Sequence, residues 1–115
     1  MNKIIVFILA FLFFSLSPGI IYGQGEYHVE YEVTGSAEKV NITISTPGGG
    51  TEQFSNVRTR WHKDFYFDEG EFLYVAAQNL TKSGEVIVRI YVRSRQVREG
   101  RSRGAFVIAT CSGRL

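Results

Sequence analysis

The chain has 115 residues, a formal net charge of +2, nine phenylalanines, six tyrosines and a single cysteine. The many aromatic residues and glycines, with few prolines, are typical of an all-β chain whose turns carry glycine, and they exclude a disordered protein. A lone cysteine excludes an internal disulfide, so a packed hydrophobic core has to hold the domain together.

The N-terminus has the pattern of a secretory leader. A lysine precedes an apolar run from Ile4 to Leu16, and the run ends at Ser17-Pro18-Gly19, whose proline and glycine break a helix. We therefore predict a signal peptide over residues 1–23 and an exported domain over residues 24–115, located in the periplasm, the cell envelope or the medium. The alternative is an uncleaved membrane anchor, because residues 20–22 extend the apolar run toward the roughly 20 residues that span a bilayer.

Alternating apolar and polar residues predict short strands along the mature segment. The first run, from Tyr27 to Thr34, has an apolar residue at every second position, which gives one buried face. Asp68-Glu69-Gly70, between two later runs, predicts a tight hairpin turn. The predicted strands are YHVEYEVT, VNITIS, TEQFSNV, WHKDFYF, EFLYVAAQN, EVIVRIYVR and GAFVIATCS. About seven such strands predict an all-β fold, an antiparallel β-sandwich of immunoglobulin-like type.

Few side chains in this pattern suit catalysis. His28 and His62 are the only histidines, and neither accompanies a nucleophile and an orienting residue, so we predict no catalytic residues and no enzyme. A metal site can be imagined from His62, Asp64, Asp68, Glu69 and Glu71. That set lacks the ligand spacing of a calcium loop, so we predict no metal and no cofactor.

Cys111 lies in an apolar strand without a histidine or an acidic residue nearby in the sequence. A reactive thiol needs an electropositive, partly exposed environment, which such a strand does not provide. We predict that Cys111 is a small buried hydrophobic residue, with a reactive thiol as the alternative.

Two segments, Asn41-Ile42-Thr43 and Asn79-Leu80-Thr81, have the pattern for N-linked glycosylation. They would carry glycans only in a eukaryotic secretory pathway. The sequence does not indicate such a source, so both stay candidate positions.

Charge is distributed unevenly along the mature chain. Gln24–Thr81 has nine acidic and four basic residues, whereas Lys82–Leu115 has eight basic and two acidic residues. The candidate binding residues, three on a strand and four in the turns predicted after it, are Arg89, Tyr91, Arg93, Arg95, Arg98, Arg101 and Arg103. They form either a face for an acidic partner, such as a membrane surface or an anionic glycan, or one side of charge pairs with the acidic half. Nucleic acid is not an expected partner of an exported protein.

Several short segments occur in the same order as in one known protein family. They are Tyr31-x-Val33-x-Gly35, Trp61 at the start of a strand, Ala76-Ala77-Gln78-Asn79, Arg89-Ile90 and Cys111-Ser112-Gly113. Together they resemble the periplasmic domain of the MmpS family, small mycobacterial membrane proteins that assist MmpL exporters of lipids and siderophores. The resemblance covers nearly the whole mature chain, and it implies a partner that is an envelope transporter or its lipid or siderophore cargo.

Two features depart from the family pattern. Family members commonly have a second cysteine directly before the Arg-Ile pair, which bridges to the terminal strand. Here that position is Val88, so the resemblance implies that packing replaces the bridge and leaves Cys111 unpaired. Family members also usually begin with a membrane anchor, whereas this leader has the pattern of a cleaved one.

The sequence leads to two functional hypotheses. The first is a non-catalytic exported accessory or binding domain, resembling MmpS, that assists an envelope exporter of lipid or siderophore type. The alternative is a freely secreted β-sandwich that binds glycan, lipid or protein. In either case we expect Trp61, Val88 and Cys111 to be structural.

Overall fold

The computed structural model describes residues 25–115, so the predicted leader lies outside the described residues. The strands, in chain order, are β1 Tyr27–Thr34, β2 Lys39–Thr46, β3 Gly50–Arg58, β4 Trp61–Phe67, β5 Phe72–Asn79, β6 Glu85–Val92, β7 Arg95–Arg103 and β8 Ile108–Arg114. They form two four-stranded antiparallel sheets, sheet A in the order β4-β1-β6-β7 and sheet B in the order β3-β2-β5-β8. The predicted antiparallel β-sandwich is confirmed, with eight strands where about seven were expected.

The core lies between the two sheets and consists of the alternating residues that the sequence pattern predicts. The four central strands contribute these apolar side chains to the core cluster: Val29, Tyr31, Val33, Val40, Ile42, Ile44, Leu73, Val75, Ala77, Val86, Val88 and Ile90. The Tyr31 hydroxyl lies 2.9 Å from the Ser45 carbonyl oxygen and 2.8 Å from the Ser45 hydroxyl. This bond joins sheet A to sheet B and satisfies the polar end of a buried ring.

Strand β7 corrects the prediction that Arg95, Arg98, Arg101 and Arg103 lie in turns. All four belong to this strand, which pairs with β6 along its length, while residues 104–107 connect it to β8. The sequence pattern misses β7 because most of its side chains are exposed and charged, so they show no apolar alternation.

The inner face of β7 packs on the backbone of β8 and closes one side of the sandwich. Arg98 Nε donates to the Ser112 carbonyl oxygen at 3.0 Å, and the Ser102 hydroxyl donates to the Ile108 carbonyl oxygen at 2.8 Å. Between them, a Cβ atom on Gly100 would stand 2.0 Å from the carbonyl oxygen of Thr110. Polar and glycine residues occupy these positions because their neighbour is backbone.

The turn at Asp68–Gly70 joins the two sheets. β4 precedes it and pairs with β1 in sheet A, whereas β5 follows it and pairs with β2 and β8 in sheet B. The predicted tight turn is confirmed, since Glu71 N donates to the Asp68 carbonyl oxygen at 3.3 Å. The predicted hairpin pairing is wrong, because β4 and β5 belong to different sheets. The sequence pattern could not show this, since a strand with one buried face fits a hairpin and a crossing between sheets equally well.

The other side of the sandwich has β3 and β4 as its edge strands. The Trp61 ring packs on that of Phe54 at a centroid distance of 5.1 Å. Lys63 Nζ lies 5.3 Å from the centre of the Phe54 ring and 3.8 Å from the Glu52 carboxylate. Lys63 is opposite the buried Tyr31 on β1, so it points inward from an edge strand, which opposes pairing with another chain.

Candidate binding site

The structure separates the predicted basic cluster into two groups. The first group lies on the outer face of sheet A and consists of Arg89, Tyr91, Arg101 and Arg103. Arg89 donates to the Glu32 carboxylate at 3.2 Å through Nη1 and to the Glu99 carboxylate at 3.0 Å through Nε. The Tyr91 hydroxyl also donates to Glu32, at 3.2 Å. Arg89 and Tyr91 are thus bonded within the protein, and the Arg89–Glu32 pair joins the basic half of the chain to the acidic half.

Arg101 and Arg103 continue this network along β7. Arg101 donates to Glu99 at 2.8 Å and to Glu85 at 3.5 Å, and Arg103 lies 3.6 Å from Glu85. Hydrogen bonds from Arg101 and Arg89 hold the pKa of Glu99 below its usual value. The outer face of sheet A is therefore a ladder of internal ion pairs.

The second group consists of Arg93, Arg95 and Arg98. The guanidinium of Arg93 stacks over the Tyr27 ring, with Cζ 4.3 Å from the ring centre. Arg98 is bonded to the Ser112 carbonyl oxygen on β8, and Arg95 is exposed at the start of β7. The predicted binding residues therefore do not form one continuous basic face.

Both histidines lie on the outer face of sheet A beside carboxylates. His28 Nε2 is 2.7 Å from Asp64, and His62 Nδ1 is 3.5 Å from Glu30. The hydrogen bond from His28 lowers the pKa of Asp64. Within residues 25–115, no group of three or more His, Cys, Asp and Glu side chains is arranged to hold a metal ion. The two histidine–carboxylate pairs link β1 to β4 within sheet A.

Cys111 is half-buried between the sheets. Burial raises the pKa of its thiol to about 11, and the thiol lies 3.8 Å from the Val88 carbonyl oxygen. Among the described residues it is a free cysteine. Its thiol stays protonated at neutral pH, which makes it a poor nucleophile.

The outer face of sheet B differs in chemistry from that of sheet A. Its three central rows contain uncharged residues: Thr51, Tyr74 and Ser112, then Gln53, Thr43, Ala76 and Thr110, then Asn41, Gln78 and Ile108. Beside the first row lies a groove of about 480 Å³, which we call the β2–β5 groove. Its principal lining residues are Thr43, Ser45, Thr51, Phe72, Tyr74 and Arg114.

Two aromatic rings from β5 form the apolar part of the β2–β5 groove. The rings of Phe72 and Tyr74 are nearly parallel, with an interplanar angle of 18° and centroids 6.3 Å apart. At that separation parallel rings are offset, so each leaves part of its face uncovered, and Phe72 is 47% exposed. The guanidinium of Arg114 lies over the Phe72 ring, with Cζ 5.7 Å from the ring centre, and Nη1 donates to the Gly70 carbonyl oxygen at 2.9 Å.

Two polar side chains fix the shape of this groove through bonds to the backbone. The Glu71 carboxylate accepts hydrogen bonds from Gly48 N at 2.8 Å and from Asp68 N at 2.7 Å, which ties two loops together. The Ser45 hydroxyl accepts a bond from Tyr74 N at 3.0 Å. Glu71 and Ser45 are thus used internally, while the threonines and Tyr74 supply hydroxyl groups to the lining.

The β2–β5 groove was not predicted from the sequence, because it contains neither a charge cluster nor a set of catalytic side chains. The available signal was the alternation along β5, in which Leu73 and Val75 are buried and the large aromatic residues Phe72 and Tyr74 occupy the outward positions. Large aromatic residues on the solvent face of a strand are candidates for ligand contact.

No model of a known protein family matches the chain, and no curated protein matches it in sequence. In the part of the chain that the structure describes, no helix is long and apolar enough to cross a bilayer. Functional conclusions therefore depend on the chemistry of the two outer faces.

Proposed function

We propose that this protein is a non-catalytic exported domain that binds a component of the cell envelope through the β2–β5 groove. The observation that carries the proposal is the contrast between the outer faces. The arginines and carboxylates of sheet A bind one another, whereas sheet B presents a groove whose lining is mainly uncharged and includes the exposed ring of Phe72 and the half-buried ring of Tyr74. A concave, largely apolar site with a few fixed polar groups is the usual form of a ligand site.

The resemblance to the MmpS family supports a more specific version. In that version the domain is an accessory protein that assists an envelope exporter of lipid or siderophore type, either by contacting the transporter or by binding its cargo. The predicted leader brings the chain to the outer side of the membrane, where such a partner is accessible.

A freely secreted domain that binds glycan, lipid or protein is the second candidate. The helix-breaking Ser17-Pro18-Gly19 favours it, because a cleaved leader leaves no tether beside a transporter. Fractionation separates the two versions, since an accessory protein stays with the envelope and a free domain enters the medium.

Photo-crosslinking in the native host tests the proposal. Phe72 in the groove is replaced by benzoylphenylalanine, and Tyr66, an equally exposed aromatic residue on the outer face of sheet A, is replaced in a matched control. We expect an adduct from position 72 and none from position 66, with mass spectrometry identifying the attached molecule.

An adduct with a multispanning exporter supports the accessory role, and an adduct with a lipid, glycan or secreted protein supports the second candidate. Adducts from position 66 alone would move the binding site to sheet A and overturn the proposal. Equal adducts from both positions would also contradict it, because they would indicate nonspecific contact with both faces in place of binding in the groove.

A further inference from the structure

We propose that the β2–β5 groove binds a neutral saccharide, with a sugar ring on the Tyr74 and Phe72 faces. This inference rests on the proposed binding function and specifies the ligand. It follows from the rings, from the charge of the lining and from the position of the groove on the sheet.

The rings provide an apolar platform. The faces of aromatic rings are electron-rich, and the C–H groups on the face of a sugar ring carry a partial positive charge, so the two surfaces attract. Phe72 and Tyr74 are nearly parallel, with their ring centroids 6.3 Å apart, so one sugar ring can contact both side chains. The volume of about 480 Å³ lies within the usual range of roughly 300 to 1,000 Å³ for a small-ligand site.

The lining favours a neutral ligand. Its one carboxylate, on Glu71, accepts two backbone N–H bonds, and its one guanidinium, on Arg114, is held by the Gly70 carbonyl oxygen. An anionic ligand would approach Glu71 and a cationic ligand would approach Arg114, so neither sign is complementary to the whole groove. Sugar hydroxyls both donate and accept, which matches the hydroxyls of Thr43 and Thr51.

Two other occupants fit the groove less well. A hydrocarbon chain would bury the threonine hydroxyls without partners, which is unfavourable. A peptide that adds a strand needs a free sheet edge, but β2 and β5 are both paired on both sides, so their backbone groups are already bonded.

Binding measurements on the full chain as secreted test the inference. The probes are cellohexaose, maltohexaose, mannohexaose and chitohexaose at millimolar concentration, with a heparin hexasaccharide, palmitate and an unstructured Gly-Ser-Thr peptide as comparators. We expect at least one neutral hexasaccharide to shift the amide NMR signals of Thr43, Thr51 and Tyr74, and the comparators to leave them unchanged.

Tyr74→Ala removes one of the two rings and keeps the backbone bond from Tyr74 N to Ser45, and thermal unfolding of the variant checks that it is folded. We expect this variant to bind the saccharide roughly tenfold more weakly, which is the change in affinity that corresponds to the loss of one aromatic contact. Tyr66→Ala, which removes an exposed aromatic ring from the outer face of sheet A, should leave binding unchanged.

The inference is overturned if none of the neutral saccharides shifts the groove signals, or if Tyr74→Ala binds as well as the parent protein. Shifts produced by heparin, palmitate or the peptide in place of the neutral sugars would overturn the ligand class alone. A photo-crosslinked adduct at position 72 would in that case still support the proposed binding function, so the two failures are distinguishable.

Discussion

The Sγ atom of Cys111 lies 3.8 Å from the carbonyl oxygen of Val88, although the two residues belong to opposite sheets. Position 88 is where members of the family that the sequence resembles commonly have the second cysteine of a bridge to the terminal strand. The two strands are not hydrogen-bonded neighbours, because β6 pairs with β1 and β7 while β8 pairs with β5. The contact lies in the interior of the sandwich, on the side where β7 packs on β8.

This contact predicts that Val88→Cys forms a disulfide with Cys111 under oxidising conditions. The two positions are 23 residues apart, and closing a loop of this size in the unfolded chain stabilises the fold by about 3 kcal/mol, less any strain. Thiol titration and urea unfolding with and without a reductant measure both effects. A variant that stays reduced while folded would show that the Cβ atoms lie outside the roughly 3.5 to 4.5 Å that a disulfide needs.

Asn79 is fully buried, and its side chain organises the loops at one end of the sandwich. Its Nδ2 donates to the carbonyl oxygens of Ser83 and Gly104, each at 2.9 Å, and its Oδ1 accepts bonds from the backbone N and the hydroxyl of Thr81. The nitrogen to which a glycan would be attached is therefore enclosed, so this sequon is not available in the folded protein.

Asn79→Ala should lower the free energy of unfolding by about 2 to 4 kcal/mol, because it leaves buried backbone groups without partners. Asn41→Ala is the matched control, since Asn41 is exposed and accepts one bond, from Asn56 N at 2.8 Å. Its expected cost is about 1 kcal/mol. Similar losses for the two variants in urea unfolding would show that burial at position 79 does not matter.

Gly100→Ala should destabilise the fold by about 3 kcal/mol, because its Cβ would overlap the Thr110 carbonyl oxygen and push β7 away from β8. Gly113→Ala provides the control on the facing strand. There the nearest atom to the new Cβ is Arg98 Nε at 3.2 Å, on a flexible side chain that can move. Thermal unfolding compares the two, and an equal loss at both positions would contradict the close approach of the two strands.

Acid should weaken the ion-pair ladder on sheet A. The pKa of Glu99 is lowered in the folded state, so its contribution to stability is present above its unfolded value of about 4.5 and is lost as the pH falls through the folded value. Glu99→Gln should therefore be less stable than the parent at pH 7 and converge with it in acid. Chemical unfolding across this pH range measures the difference.

Glu69→Gln is the control for the acid experiment. Glu69 is exposed in the turn after β4 and makes no ion pair with the other described residues. Its variant should follow the parent curve. If Glu99→Gln kept the full acid dependence, another carboxylate would be responsible for it, with Asp64 the first to examine because its pKa is also lowered.

The strands that bury one face were predictable, because residues such as Val29, Tyr31 and Val33 alternate with polar ones. Strand β7 was not predictable, since its inner face contacts the backbone of β8 and needs no apolar residue. The groove was not predictable either, because it forms where β2 and β5 meet the loops around Gly48 and Glu71, and local periodicity contains no information on such contacts.

Both ends of the described chain meet at the turn after β4. Gly25 packs against the backbone of Phe67, and Leu115 exchanges hydrogen bonds with Gly70 and Glu71. A purification tag or an immobilisation linker attached after Leu115 would therefore start beside Arg114 and Glu71, which line the β2–β5 groove, and would crowd its entrance. The exposed Lys82, in the loop at the far end of β5, offers an attachment point that leaves this entrance open for surface-based binding assays.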